Sequence, residues 1–367
     1  MVEWKKLGDI ASVSNGERPI SEILDTGLYP YINAGRTNSG YLNECNSKSG
    51  AVTTPSHGEG GIGSVLFQYH DFWCGALCYK MYTYDGVINR FLYHYLCNNT
   101  EKIINCKNVG GQPYINRKQL EKIIIGIPYL SEQTRIVGIL DTFTSSIENL
   151  KQQIAERRKQ YEYYRDQLLD LEGKEDKDIH SWSEFCKMEK GNGVQKADFV
   201  DEGIGCIHYG QIYTHYGPYT YETNKYVSKE TFEKAKKASK GDIIMTDTSE
   251  NVEDICKSVA WLGEEDIAVS NHALIIKHSQ DPKFLSFSTE TNSFFNQKRK
   301  VVVGVKVSGI KPEHLAQIKI YLPSLQEQQR IVSILDTFEA SIQNLEAQLK
   351  EREKQYEYYR NKLLTFE

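Results

Sequence analysis

The chain has 367 residues, a hydrophobic fraction of 40%, a charged fraction of 25% and a formal net charge of −5 at pH 7. That length suits two domains, each large enough to bury a core, and the composition is that of a soluble globular protein with no apolar run approaching a membrane span. The acidic balance excludes a protein that grips nucleic acid through bulk positive charge, so any such contact must be local or shared with a partner.

The opening MVEWKKLGDI lacks the apolar core of a secretory signal, and a cytoplasmic location is expected. Residues 1–127 carry a charge of +1 and are rich in Gly, Asn, Ser and Tyr between short apolar runs such as Ser64–Phe67, which predicts a mixed, strand-rich globule. The eight cysteines are unevenly spread and show no disulfide or zinc spacing; they are read as free thiols, and no metal is expected.

From Pro128 to Glu172 the apolar residues Ile136, Leu140, Phe143, Ile147, Leu150, Ile154, Tyr161, Tyr164, Leu168 and Leu171 recur in steps of 4 and 3, with Arg157 in the remaining seam position. This is the pattern of a coiled-coil helix, and at 1.5 Å per residue such a helix reaches about 60 Å. A polar stretch, Gly173 to Asp178, then links to a second strand-rich globule, residues 173–322, with a charge of −2. The helix returns from Pro323 to Glu367: by direct count 29 of 45 positions are identical, at a constant offset of 195. Ser324 and Glu327 suit a capping box on this second copy, and Arg352 repeats Arg157 on the seam. Weaker echoes precede both helices, Ile115-x4-Leu120-x2-Ile123-x-Ile125 and Ile310-x4-Leu315-x2-Ile318-x-Ile320, each predicting a helical turn and a short strand.

Two dissimilar globules alternate with two near-identical helices, each introduced by I-x-I-x-x-P and the run E-Q-x-R-I-V-x-I-L-D, at Glu132 to Asp141 and Glu327 to Asp336. Over essentially its whole length the chain resembles the specificity subunit of type I restriction-modification enzymes. The resemblance implies an α+β fold of two target-recognition domains joined by two antiparallel spacer helices with pseudo-two-fold symmetry. It implies double-stranded DNA as ligand, read as an asymmetric bipartite site with a fixed gap. The implied partners are two methyltransferase subunits, which would carry S-adenosylmethionine, and restriction subunits that translocate and cut DNA.

No catalytic centre or cofactor is expected in the chain itself. It has neither a G-x-x-x-x-G-K-[ST] phosphate loop nor an Asn-Pro-Pro-aromatic methyltransferase motif, and the glycine-rich run His57 to Gly63 reads as a turn-rich loop. Base readers are polar side chains on loops. The candidates are Asn33, Arg36, Asn38, His57, Asn108, Gln112 and Tyr114 in the first globule, and Tyr209, Gln211, Thr246 and Asn251 in the second. Lys298, Arg299 and Lys300 form the densest basic cluster of a globule and are candidate phosphate contacts. Tyr163 and Tyr358 lie off the seam and are candidates for binding the methyltransferase. Two rival readings are a two-headed scaffold that binds other ligands and a nuclease using His57, Glu59 and the cysteines as a metal site; neither accounts for one helix appearing twice.

Overall fold

The structure, a computed structural model, describes residues 2–108, 111–302 and 308–366. It divides into two compact units: residues 1–152 with 346–367, and residues 153–345. The two 40-residue helices, Leu130–Leu169 and Leu325–Leu364, therefore each contribute a segment to both units.

In the first unit, Ala11–Asn15, Cys78–Thr83, Val52–Pro55 and Leu66–Phe67 form an antiparallel sheet in that spatial order. A second sheet sets Tyr41–Leu42 beside Tyr29–Ile32, and Tyr29–Ile32 runs parallel to Trp73–Cys74. The predicted turn and strand before the helix are present as Arg117–Leu120 and Ile124–Ile127, the strand pairing antiparallel with Glu3–Lys6. Alternation along Ala11–Asn15 buries Ala11 and Val13, which join Val52, Met81, Phe91, Leu96 and Ile125 in the core.

The second unit repeats this plan with longer sheets. Cys186–Lys190, Ala273–His278 and Ile243–Thr246 follow in the same order, extended by Ser258–Trp261 and Tyr219–Thr220. The other sheet sets Ile204–Ile207 parallel to Ile267–Val269. The turn Pro312–Leu315 and the strand Lys319–Tyr321 lead to the second long helix, the strand pairing with Ile179–Ser181.

The helical periodicity proves to serve two surfaces. The opening turns pack into a globule: Ile136 and Leu140 lie in the first unit's core, and Ile331 and Leu335 in the second's, beside Trp182, Phe284 and Phe287. The ends of the other helix share those cores, through Leu364 in the first and Leu169 in the second, and further along the stripe meets the other helix directly. In the first unit Phe143 lies 6.4 Å from Tyr356 and 5.3 Å from Tyr359, and Lys151 pairs with Glu353, so the two segments run antiparallel. Each seam arginine lies over a phenylalanine of the facing segment, Arg352 over Phe143 at 5.5 Å and Arg157 over Phe338 at 5.9 Å, which keeps the charge on the seam as a cation–π contact. Of the capping box at Ser324, the serine half forms, its Oγ accepting from the Glu327 N–H at 3.4 Å, while the Glu327 carboxylate is engaged by Arg330.

Candidate nucleic-acid interface

In the first unit the three candidate stretches converge. The loop after the parallel strand Tyr29–Ile32 carries Asn33, Arg36 and Asn38; Arg36 Nε donates to the Gly60 carbonyl at 2.7 Å, which ties it to the glycine-rich loop. Gly61 lies so close to the Ala34 carbonyl that any β-carbon there would overlap it, a physical reason for glycine in that loop. His57 stacks on Tyr114 at 5.7 Å, and the Asn108 side chain donates to the Tyr114 hydroxyl. Arg36, Asn38 and Gln112 are exposed, whereas Asn33 is turned to the backbone, its Oδ1 accepting from the Leu77 N–H at 3.0 Å.

In the second unit the corresponding segment after the strand is a short helix, Tyr209–Thr214, so Tyr209 and Gln211 stand on its first turn and not on a loop. Tyr209 packs edge-on to His272 at 5.4 Å, and its N–H donates to Ser270 Oγ. Gln211 is used locally, its Oε1 accepting from the His208 N–H and its amide donating to Asn224. Burial draws the His208 imidazole below its usual range, helped by Lys196 and His272 nearby. Asn251 is exposed but caps its own turn through Asp254.

Two candidates lie away from any surface. Thr246 is fully buried, with its hydroxyl donated to the Asp254 carbonyl at 2.7 Å. Lys298 is 4% exposed, and its Nζ donates to the carbonyls of Glu253 and Ile255, so it completes a buried turn and offers no charge to a phosphate. Arg299 and Lys300, its neighbours, are exposed.

A backbone frame links the candidates within each unit. In the first, Gly75 N–H donates to Ile32 O, Ser56 N–H to Leu77 O, Ile115 N–H to Ser56 O and Gly16 N–H to Cys78 O. In the second, Ser270 donates to Ile207, Asp247 to His272, Ile310 to Asp247 and Gly191 to Ala273, each at 2.9–3.1 Å. The parallel pairs Ile32–Cys74 and Ile207–Val269 fix the same correspondence. Asn33 thus matches His208, Arg36 matches Gln211, Ser56 matches Asp247, and Leu77 matches His272. Loop polarity does not single out Leu77, His272 or Lys190; Lys190 forms an ion pair at 2.9 Å with Asp247, which lies inside the candidate stretch from Thr246 to Asn251. The 195-residue offset, extended to Cys74–Cys78 and Val269–Ala273, is the sequence signal that points to Leu77 and His272.

The repeated helix motif has a defined task. Gln133 and Gln328 are both fully buried. Gln133 Oε1 accepts from the Ile88 N–H, and Gln328 Oε1 from the Asp281 N–H, the residues that begin the helices Asn89–Asn98 and Pro282–Ser288. Asp141 accepts from Arg90 and pairs with His94, while Asp336 pairs with Lys283. The Gln and Asp of the motif therefore fasten each globule to its own helix, while Glu132 and Glu327 pair with Arg135 and Arg330 of the same helix. Tyr163 and Tyr358 are 60% and 59% exposed. All eight cysteines are free. Among the described residues no group of three or more His, Cys, Asp and Glu is placed to hold a metal, and no helix is long and apolar enough to cross a membrane.

Comparison with known proteins places the chain in a family. Residues 1–157 and 175–353 match the type I restriction modification DNA specificity domain. The specificity subunit of the type I restriction enzymes EcoR124I and EcoR124II of Escherichia coli is 25% identical, over 100% of this chain and 94% of that protein. A Haemophilus influenzae chain assigned as a type I restriction enzyme specificity subunit is 28% identical, over 100% of this chain and 96% of its own. The fold is shared with the S subunit of a type I restriction-modification system from M. genitalium, with a TM-score of 0.67 at 17% identity, covering 100% of this chain and 97% of that one. The chain belongs to the type I restriction-modification specificity family, and is the DNA specificity subunit, without catalysis of its own, of such a system.

Proposed function

We propose that residues 1–127 and 173–322 are two target-recognition domains, each reading one half of an asymmetric, bipartite DNA site, and that the helices 128–172 and 323–367 set the gap between the halves. The observation that carries this reading is the repeated backbone frame bearing unlike side chains: Asn33, Arg36, His57, Leu77 and Tyr114 on one, His208, Tyr209, Asp247 and His272 on the other. Identical frames with identical side chains would suit a palindrome; these suit two different half-sites. Asn38 and Gln112 flank the first frame, and Asn251, Arg299 and Lys300 remain as exposed contacts around the second. At 1.5 Å per residue a 40-residue helix spans about 60 Å, which bounds the gap at under about 18 base pairs of 3.4 Å.

Membership of the family implies assembly with modification and restriction subunits. In our reading two methyltransferase subunits, carrying S-adenosylmethionine, dock on the outward faces of the helices, at Tyr163 and Tyr358. The exposure of these aromatics on otherwise polar faces supports that placement. Alanine at both positions is expected to abolish co-purification of the methyltransferase, and full retention would remove the tyrosines from the interface.

The whole reading is tested by methylome sequencing of a host lacking its own systems, given this chain with its methyltransferase or the methyltransferase alone. One new, asymmetric, gapped motif that depends on this chain is expected. A palindromic motif, or none despite a purified complex, would overturn it.

A further inference from the structure

The residue at position 77 and its counterpart at 272 lie at the centre of the two frames. Each closes the turn before the strand Cys78–Thr83 or Ala273–His278, and each gives its carbonyl to the residue just after the neighbouring strand, Ser56 at 2.8 Å and Asp247 at 3.1 Å. Both turns project their side chains. Leu77 is 38% exposed although apolar, and the His272 side chain is 51% exposed. Neither exposure is explained by packing.

The two positions are held firmly. Asn33 clasps the Leu77 N–H, and Gly75 beside it has no room for a β-carbon against the Asn33 side chain. His272 has a φ of 65°, a left-handed conformation uncommon for residues with a side chain. Its Nδ1 lies 3.9 Å from the buried Asp247 carboxylate, too far for a hydrogen bond, so both ring nitrogens keep their capacity for a ligand. Tyr209 lies edge-on to the ring.

We propose that Leu77 and His272 are a matched pair of specificity-determining residues, Leu77 selecting a thymine methyl in one half-site and His272 a hydrogen-bonding base edge in the other. An exposed leucine has one apolar partner on a base edge in the major groove, the C5-methyl of thymine, whereas an imidazole nitrogen pairs with an exocyclic amine or a purine acceptor. The assignment rests on the reading that each unit recognises one half-site.

The test uses the complete chain with its methyltransferase subunits and duplexes built on the motif that the methylome defines. Replacing each thymine in turn by uracil removes only the methyl. Wild type is expected to lose about threefold to tenfold in affinity at one thymine of one half-site, and L77A to be indifferent there. H272A is expected to relax one position of the other half-site by about fivefold or more, and H272N, which tolerates the same backbone, to change the preferred base while keeping the fold. R36A and Y209A serve as one reference per unit. If L77A and H272A fold, bind and keep the wild-type motif while R36A and Y209A each relax one half, the pair assignment falls and the half-site reading stands. If any of these changes relaxes both halves together, the half-site reading falls and takes the assignment with it.

Discussion

Replacing Gln133 by leucine keeps nearly the same volume but removes an amide whose Oε1 accepts from Ile88 N–H at 2.9 Å and whose Nε2 donates to Pro128 O at 2.9 Å and Gly86 O at 3.0 Å. Gly86 is exposed, so its carbonyl recovers a water partner at little cost. The Ile88 N–H and the buried Pro128 carbonyl do not. Two buried backbone groups left unpaired cost about 1–3 kcal/mol each, partly offset by the better burial of leucine, for a net loss of about 2–4 kcal/mol. The loss should be confined to the first unit. Amide hydrogen exchange reads it directly: protection across residues 86–98 is expected to fall by that free energy while residues 273–288 keep theirs. E132A, which removes only the exposed pair with Arg135, is expected to change stability by less than about 0.5 kcal/mol. Q133L within 0.5 kcal/mol of wild type would refute the claim that the motif glutamine is a fastening between helix and globule.

The two units should respond to pH with opposite sign. Burial draws His94 down to about 4 from 6.5 although Asp141 opposes it, so between these values the unfolded chain binds more protons and the first unit loses stability, up to about 3 kcal/mol, as pH falls. Burial, with Glu290 and Asp336 adding to it, lifts Glu339 from 4.5 to about 7, so there the native state binds more protons and the second unit loses stability as pH rises through that range. Hydrogen exchange at pH 5 and 7, with H94Q and E339Q as controls, checks both directions, and a common sign would contradict the argument. Lys298 and Arg299 should also part company: K298A is expected to destabilise the second unit by about 2–3 kcal/mol through its two orphaned carbonyls and lost packing. R299A should leave stability unchanged and lower the salt dependence of DNA binding by about one phosphate contact, as titrations at several salt concentrations would show.

What could be read from the sequence follows from how locally each feature is encoded. The long helices are written in their own periodicity, because a stripe at steps of 3 and 4 needs no knowledge of what covers it. That the same stripe turns from globule core at Ile136 and Leu140 to helix partner at Phe143 was not legible, since both surfaces demand apolar residues. Among the candidates, Arg36, His57 and Tyr114 stand out in the sequence because loop polarity is local, whereas their convergence depends on strand pairings many residues apart. Thr246 and Lys298 show the opposite case: a polar residue in a turn-like stretch is either solvated or satisfying buried backbone, and the difference is set by distant residues such as Asp254 and Ile255. Leu77 escaped because an apolar residue in a loop carries no polar signal, and only its counterpart at 272 gives it meaning.

The division of both long helices between the units bears on how the chain comes off the ribosome. The first unit's core is closed by Leu364, which is 3% exposed, and by Phe366, stacked on Tyr95 at 6.4 Å. The second unit needs nothing beyond residue 345. The first unit, although made earlier, therefore lacks the last helical turns that fill its apolar groove until synthesis ends. The earlier-made half thus waits the longer for its completing segment, open meanwhile to proteases and to chaperones.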